Sequence, residues 1–189
     1  MRWIWIDRII ELERGVRCIA VKNISLAEEV LHDHFPATDN HPAMPVLPNP
    51  LILEGMAQTA GILVGHANDF REKVILAKVG RARFTEAAWP GYCLRYTAEV
   101  VRLDGAGAST HGHVERLDPH QPHAAPVPLA EIELLFSHID QARTGLDLPE
   151  HNFVFTRAFL ELVSQSGVDL SPSKAPQGPE APDNPEASS

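Results

Sequence analysis

The chain has 189 residues, of which 44% are hydrophobic and 22% are charged. A chain of this length and composition can bury one sizeable core, which excludes disorder throughout and predicts a single main domain. The 25 acidic residues outnumber the 16 basic ones and give a formal charge of -9 at pH 7. This balance argues against a nucleic-acid binder, which needs a cationic face for the phosphates, and against non-specific membrane binding.

The two cysteines, Cys18 and Cys93, lack the paired spacing of a disulfide framework or a zinc knuckle. We therefore expect free thiols in a reducing compartment. The segment from Met1 to Asp7 has no apolar signal-peptide stretch, and no run in the sequence reaches the roughly 18 apolar residues of a membrane span. These observations predict a cytoplasmic protein.

The 16 prolines are the unusual part of the composition, and most of them fall in three clusters. Five lie from Pro36 to Pro50, four from Pro119 to Pro128, and five from Pro172 to Pro185. Because proline fixes φ and removes a backbone donor, neither a helix interior nor a central strand runs through such a cluster. The first cluster predicts a loop over residues 37–49, the second a connection between strands, and the third a tail.

Six segments rich in β-branched or aromatic residues, bounded by Gly, Pro or Asp, predict an antiparallel sheet. A longer apolar run predicts a helix at Pro50–Ala67, with Asn49 as its N-cap and Pro50 at the first helical position. Its apolar residues fall on nearly every face, so we expect protein on most of its sides. The predicted strands are Trp3–Leu12, Val16–Ile24, Val74–Phe84, Tyr92–Leu103, Ala108–Leu117 and Leu129–Ile139.

The last fifty residues have a different character, so we place the main domain at residues 1–140. Phe155, Phe159 and Leu162 have helical spacing, which predicts an amphipathic helix at Asn152–Val163 within an extension over residues 141–164. Residues 165–189 are dominated by Ser, Pro, Gly, Ala and Asp. Such a composition cannot bury enough surface to offset chain entropy, so we expect a disordered tail.

Glu54 is an ionisable group in the first turns of the otherwise apolar helix. Carboxylates are seldom fully buried without a partner. Burial raises the pKa of a carboxyl group and would make it a general acid, whereas a helix N-terminus favours the anion. From the residue alone, a position facing solvent at the helix edge is as well supported.

His34, on the loop before this helix, offers a base. A histidine and a carboxylic acid that are held apart by a proline-stiffened loop suit elimination or hydration next to a carbonyl group. One takes the α-proton while the other protonates the departing hydroxyl, and N–H groups at the helix start polarise the carbonyl oxygen.

The residues around this pair resemble a known family. The chain reads H-F-P at residues 34–36 and P-V-L-P-N-P-L-I-L-E-G-M-A-Q at residues 45–58. This resembles the H-F-P-G-x-P-V-M-P-G-V-L-x-x-E-A-M-A-Q pattern of the hotdog-fold 3-hydroxyacyl-acyl-carrier-protein dehydratases, FabZ more closely than FabA. The opening W-I-D-R-I-I-E-L-E-R-G at residues 5–15 is similar to the family's L-V-D-R-V-L-E-L-E-x-G. The resemblance spans roughly residues 3–139.

The resemblance implies an α+β hotdog fold, in which an antiparallel sheet wraps around one long central helix. It implies a lyase of fatty-acid or related lipid biosynthesis that dehydrates a 3-hydroxyacyl thioester on acyl carrier protein to the trans-2-enoyl thioester. No cofactor is implied, because the thioester itself acidifies the α-proton. His34 matches the family's catalytic histidine and Glu54 its catalytic acid. The family assembles as dimers, often as trimers of dimers, with each site built from both subunits.

The sequence departs from the family pattern between the two motif residues. About six extra residues lie between His34 and Pro45, so an alternative alignment makes His41 the base, although the H-F-P match favours His34. Asn49 replaces the usual glycine and keeps a backbone N–H for carbonyl binding. A hotdog thioesterase that uses Glu54 to activate water, and a non-catalytic acyl-binding protein with a displaced His34, remain as alternatives.

Further residues are candidates for binding. Gln58 lies one turn after Glu54 on the same face and either orients that carboxyl group or is satisfied by the backbone. With Val46 and Asn49 it completes the predicted substrate-binding set. A local basic stretch suits an acidic carrier protein, although a solvated strand face explains it more simply. Its residues are Lys73, Lys78, Arg81 and Arg83.

No metal site is predicted from the histidines. The pairs at residues 111 and 113 and at residues 32 and 34 each place two imidazoles on one face of an extended segment. Neither pair has a third ligand nearby in the sequence, and structural metal sites need one.

Overall fold

The computed structural model describes residues 3–71, 73–139, 161 and 164–167. Within the described part of residues 3–139 it contains two helices, α1 at Glu29–His32 and α2 at Asn49–Ala67. The strands are β1 at Arg8–Glu13, β2 at Arg17–Asn23, β3 at Lys73–Phe84, β4 at Cys93–Asp104, β5 at Gly107–Leu117 and β6 at Val127–Ile139.

The six strands form one sheet in the order β1-β2-β4-β5-β6-β3, and all neighbouring strands are antiparallel. β3 follows α2 in the chain yet lies at the edge of the sheet beyond β6. Helix α2 packs across one face, which is called the inner face here, and contacts β2, β3, β4, β5 and β6. The predicted antiparallel sheet around one long helix is therefore confirmed.

The core lies between α2 and the inner face of the sheet. Buried side chains occur in every turn of α2, in agreement with the expectation of protein on most of its sides. At Gly55 an added Cβ would lie 2.7 Å from the phenol oxygen of Tyr96 and 2.9 Å from the carbonyl oxygen of Trp5. Glycine therefore permits the close packing of α2 on β4. Sheet residues in this core include Cys18, Ala20, Leu94, Tyr96, Ala98, Val114, Ile132 and Leu134.

The first strand is shorter than the predicted Trp3–Leu12, because the ladder begins only near Asp7, whose N–H donates to the carbonyl of Val21. Upstream, the backbone bonds to a side chain instead of a strand. The N–H of Trp5 donates to Oε1 of Gln58 (2.8 Å), and the carbonyl of Trp3 accepts from Nε2 of the same amide (3.1 Å). Sequence periodicity cannot reveal such a partner 53 to 55 residues away.

Helix α2 begins one residue earlier than predicted, so the prediction of Asn49 as its N-cap is wrong. Asn49 is the first helical residue, and Pro48, with φ -59° and ψ 136°, occupies the capping position without a side-chain bond. Since Pro48 fixes its own φ, the chain turns into the helix directly after it. Pro50 remains in the first turn, where a missing N–H costs no helical bond.

The segment predicted as a loop begins with a small hairpin that contains the extra residues. The N–H of Met44 donates to the carbonyl of Phe35 (2.9 Å), and the N–H of Thr38 donates to the carbonyl of His41 (2.9 Å). Because residues 35 and 44 are paired, His34 and Pro45 lie at the base of the hairpin. The insertion therefore projects outward instead of separating the two halves of the motif.

The C-terminal segments lie largely outside the described residues, including the predicted helix at Asn152–Val163 apart from Glu161. Ser164 and Gln165 are helical, so the predicted tail, 165–189, begins with a structured residue. The hydroxyl of Ser166 accepts a hydrogen bond from the N–H of Ile9 (3.0 Å). This bond attaches the end of the described chain to β1.

In the part of the chain that the structure describes, no helix is long and apolar enough to cross a membrane.

Candidate active site

His34 is half-buried and follows the one-turn helix α1. Its Nδ1 lies 2.8 Å from the carbonyl oxygen of Leu31, whose side chain is 1% exposed and packs in the core. Because a carbonyl oxygen can only accept, Nδ1 is the donor, and in the neutral form of the ring Nε2 keeps its lone pair. The local structure thus fixes the orientation of the His34 ring.

Glu54 lies in the second turn of α2 and is half-buried. Its Oε1 accepts a hydrogen bond of 3.0 Å from Nε2 of Gln58, one turn further along the helix. Gln58 is itself held by the backbone of Trp3 and Trp5. The amide therefore does both things that were open from the sequence: it is satisfied by backbone and it orients Glu54.

The start of α2 supplies one candidate donor for a carbonyl group. The N–H of Leu51 donates to the carbonyl of Pro48 (2.9 Å), and Pro50 has no N–H. Asn49 is exposed, and within the described residues its N–H makes no hydrogen bond. Val46 uses its own N–H for the carbonyl of Met44 (2.9 Å), so any role for it in substrate binding falls to its half-buried side chain.

The two histidine candidates differ in position. His41 is exposed, lies in the turn of the hairpin, and its Nδ1 bonds the carbonyl of the adjacent Pro42 (3.0 Å). His34 lies at the hairpin base, held by a core residue. Among the described residues, no hydrogen bond or ion pair joins either histidine to Glu54 within the chain.

The four basic candidates do not share one environment. Lys73 is 8% exposed, so its side chain is too buried to meet a docking partner. Lys78, Arg81 and Arg83 are exposed on β3. The register pairs Arg81 with Glu133 and Arg83 with Glu131, which places these charges on the outer face of the sheet.

Three charged residues near the site were not found from the sequence. Nζ of Lys22 contacts Glu28, Asp7 (3.3 Å) and the carbonyl oxygen of Asn23 (3.0 Å), and Lys22 is 6% exposed. Strand alternation could have identified the burial of Lys22, because Cys18 and Ala20 lie four and two residues earlier in β2 and face the core.

Burial makes both thiols poor nucleophiles at neutral pH, because it raises their pKa values. Desolvation, with a smaller contribution from Glu11, raises the pKa of Cys18 from 9.0 to about 12. Desolvation also raises the pKa of the half-buried Cys93. Both cysteines are free, and among the described residues no group of three or more His, Cys, Asp or Glu is arranged to hold a metal ion.

Comparison with named proteins finds several dehydratases called FabZ. The chain is 40% identical over 99 residues to the 3-hydroxyacyl-acyl-carrier-protein dehydratase FabZ of Symbiobacterium thermophilum, a match that covers 52% of this chain and 66% of the relative. It is 37% identical over 102 residues to the FabZ of Geotalea uraniireducens, again with 52% and 66% coverage. The chain thus spans just under two thirds of the length of these curated relatives.

Solved structures with the same fold are more distant in sequence. One is the dehydratase heterocomplex ApeI:P from Xenorhabdus doucetiae, with a TM-score of 0.52, 15% identity, and coverage of 74% of this chain and 86% of that one. Another is a thioesterase family protein from Silicibacter pomeroyi, with a TM-score of 0.54, 14% identity, and coverage of 70% and 83%. At such identities the likeness concerns the fold alone.

A family model described as a FabA-like domain matches residues 3–115, more than half of the chain. The match contains β1, β2, both helices and the residues His34, Glu54 and Gln58. The sheet wrapped around α2 is the architecture that the sequence resemblance implied. The chain therefore belongs to the FabA-like family and has the hotdog fold.

Proposed function

We propose that the chain is a lyase that reversibly dehydrates a 3-hydroxyacyl thioester, carried on acyl carrier protein, to the trans-2-enoyl thioester in the cytoplasm. The observation that carries the proposal is the orientation of the motif residues. The carbonyl of Leu31 leaves Nε2 of His34 free as a base, and Gln58 holds the carboxyl group of Glu54. The FabZ relatives agree with this reaction.

The chemistry needs one base, one acid and one donor to the carbonyl oxygen. Nε2 of His34 takes the proton from the carbon next to the thioester carbonyl, and the electron pair left behind forms the new double bond. The hydroxyl on the following carbon departs as water, because the carboxyl group of Glu54 protonates it. The N–H of Asn49 polarises the carbonyl oxygen. Proton transfer from His34 to Glu54 through solvent then restores both groups.

We extend the proposal to a dimer, because β3 is an edge strand with an unpaired side. Leu76 and Val79 are opposite Phe136 and Leu134, so they belong to the inner face. They are nevertheless 39% and 38% exposed, since α2 does not cover them. A second copy that pairs along β3 would extend the sheet and cover both residues. We further propose that each site then combines His34 of one copy with Glu54 of the other, as the family resemblance implies.

The exposed cations of β3 are the candidate surface for the acidic carrier. Lys78, Arg81 and Arg83 remain in this proposal, whereas the burial of Lys73 removes it. Charged residues on a rim mainly raise the rate of association and make it sensitive to salt. We therefore expect their removal to affect KM more than kcat.

The test is hydration of an enoyl thioester of acyl carrier protein, followed by the loss of enoyl absorbance. His34→Ala and Glu54→Gln each lower kcat/KM by at least about a hundredfold, since a positioned acid or base contributes that much. His41→Ala serves as the matched histidine control and keeps the activity of the wild type. All variants are checked by circular dichroism for an intact fold.

Three outcomes would contradict the proposed dehydration or its residue roles. If His41→Ala is inactive while His34→Ala is active, the base is misassigned. If the wild type releases free thiol and no 3-hydroxyacyl product, the protein is a thioesterase. If neither reaction occurs with any acyl chain length, the protein is a non-catalytic member of the family.

A further inference from the structure

Helix α1 carries the carbonyl that orients His34, yet it has only four residues. So short a helix is not stable by itself, because fixing the backbone dihedrals of its first turn costs more free energy than one hydrogen-bonded turn provides. One anchor is the side chain of Leu31, which is buried in the core. The half-buried Val30 packs against the same core, but these two adjacent side chains leave the N-terminal end of the helix without a fixed point, so a second point is needed there.

The second point is Glu28, the residue directly before α1. Its backbone N–H donates to the carbonyl of Ser25 (3.0 Å), and its carbonyl accepts from the N–H of Leu31 (2.9 Å). Its carboxylate forms an ion pair with Nζ of Lys22 on β2. Glu28 thus ties α1 to the sheet through its side chain and to Leu31 through its backbone.

The side chain of Lys22 is held in place by its hydrogen bonds. Its three N–H donors meet three acceptors, on Asp7, Glu28 and Asn23, and its side chain is 8% exposed. Asp7 is held in turn, since its Oδ2 accepts from the backbone N–H (2.6 Å) and the side-chain amide (3.2 Å) of Asn23. A buried ammonium with every donor used has little freedom to move.

We infer that the ion pair of Lys22 and Glu28 positions the imidazole of His34 through α1, which makes Glu28 a positioning residue for the proposed dehydration. The path has two hydrogen bonds, from Leu31 N–H to the Glu28 carbonyl and from His34 Nδ1 to the Leu31 carbonyl. The inference rests on the proposed function only for its effect on turnover. The orientation of the ring is a property of the protein itself.

The experiment compares Glu28→Ala with Glu28→Gln and with a matched ion-pair control, Glu115→Ala. Glu115 pairs with Arg95 on the sheet and has a side-chain exposure of 21%, against 23% for Glu28. Glu28→Gln keeps an acceptor for Lys22 and removes the charge, so it separates positioning from a change of electric field.

The first readout is a ¹⁵N spectrum of the histidine rings in full-length protein, at a pH where imidazoles are neutral. The signals of His34 are assigned by their loss in His34→Ala. In the wild type they are those of a ring protonated on Nδ1. Glu28→Ala shifts them towards a mixture of both tautomers, whereas Glu28→Gln and Glu115→Ala keep the wild-type pattern. Unchanged His34 signals in Glu28→Ala would overturn the inference.

The second readout is steady-state hydration of the enoyl thioester. Glu28→Ala lowers kcat about tenfold, the scale of a modest misplacement of a reacting group, with KM within about twofold of the wild type. Glu28→Gln restores most of the loss, and Glu115→Ala keeps the wild-type kcat. Equal kcat losses in Glu28→Ala and Glu115→Ala would contradict a positioning role. If the wild type has no activity but the ring signals change as stated, the proposed function fails and the positioning role stands.

Discussion

Gln58 makes three hydrogen bonds with its amide group, and together they fix which way the amide points. Oε1 accepts from the N–H of Trp5, so Nε2 must donate to both the carbonyl of Trp3 and the carboxyl group of Glu54. The amide thereby bonds only one oxygen of the carboxyl group and leaves the other for the proposed reaction. The N-terminal segment thus positions the proposed acid from a distance of more than fifty residues in the chain.

Gln58→Glu tests this arrangement with a side chain of the same shape. A carboxylate oxygen in place of Nε2 cannot donate to Trp3 or Glu54, so we expect kcat to fall at least about tenfold. The matched control is Gln121→Glu, where an exposed amide also donates to a carboxylate, that of Asp118 (3.2 Å). Stopped-flow or steady-state hydration assays measure both variants. Similar kcat values for wild type and Gln58→Glu would show that the amide does not orient Glu54.

Cys18 gives a test of burial in the core. Since its pKa is raised from 9.0 to about 12, its thiolate fraction at pH 8 falls about a thousandfold relative to the unfolded chain. In a Cys93→Ser variant, Cys18 is the sole cysteine. We expect it to react with a chromogenic disulfide only after unfolding in guanidinium. Full labelling of the native variant within minutes would mean that the core around β2 opens readily.

The same thiol makes stability depend on alkaline pH. Between pH 9 and pH 12 the unfolded chain loses the proton of Cys18 while the folded chain keeps it, so the unfolded state binds fewer protons. The free energy of unfolding therefore decreases as pH rises through this range, by up to about 1.4 kcal/mol per pH unit from this group. Cys18→Ala removes that contribution and flattens the decrease measured by urea unfolding.

At the scale of elements, the tight turn between β4 and β5 offers two glycines with opposite surroundings. An added Cβ at Gly107 would lie 2.1 Å from the carbonyl oxygen of Phe136 on β6, whereas at Gly105 nothing lies within 4 Å. Gly107→Ala must displace backbone, so we expect a loss of about 2–3 kcal/mol in unfolding free energy. Gly105→Ala stays within about 0.5 kcal/mol of the wild type. Both variants are measured by urea denaturation. Equal losses of unfolding free energy in the two variants would contradict the close packing of β5 on β6.

The elements themselves were largely predictable from the sequence, for identifiable reasons. Alternation and turn residues located the strands, and the apolar run after Pro50 located α2 to within a residue of its start. The hotdog fold was predicted from the motif around His34 and Glu54 and is confirmed by the sheet order. These features depend on local periodicity or on a contiguous motif, both of which a single sequence contains.

The features that the sequence did not reveal are either very short or depend on contacts between distant residues. Residues 3–6 were predicted as strand because their composition favours it, but the backbone of Trp3 and Trp5 bonds Gln58. The hairpin around Thr38 and the single turn α1 were not predicted, because each is too short for periodicity to detect. The buried Lys22 followed the inward phase of β2, yet its role became visible only with Glu28 beside it.

At the scale of the molecule, the proposed dimer predicts complementation between two inactive variants. If each site uses His34 of one copy and Glu54 of another, a mixed dimer of His34→Ala and Glu54→Gln contains one intact site. Coexpression of the two should therefore recover about a quarter of wild-type activity, since half of randomly formed dimers are mixed. Activity is measured on the purified mixture after mass spectrometry confirms mixed dimers.

The control for complementation is His34→Ala coexpressed with the double variant His34→Ala, Glu54→Gln, which cannot form an intact site. Recovery in the first mixture alone supports a site shared between copies along β3. Absence of recovery in confirmed mixed dimers would place both groups of each site in one chain.

The most direct measurement of the central claim is the identity of the product. The wild type is incubated with a series of 3-hydroxyacyl acyl carrier proteins, and intact carrier is weighed by mass spectrometry. We predict a carrier species lighter by one water, formed by the wild type and His41→Ala but not by His34→Ala or Glu54→Gln. Release of free carrier thiol with the 3-hydroxy acid, or an unchanged carrier at every chain length, would contradict it.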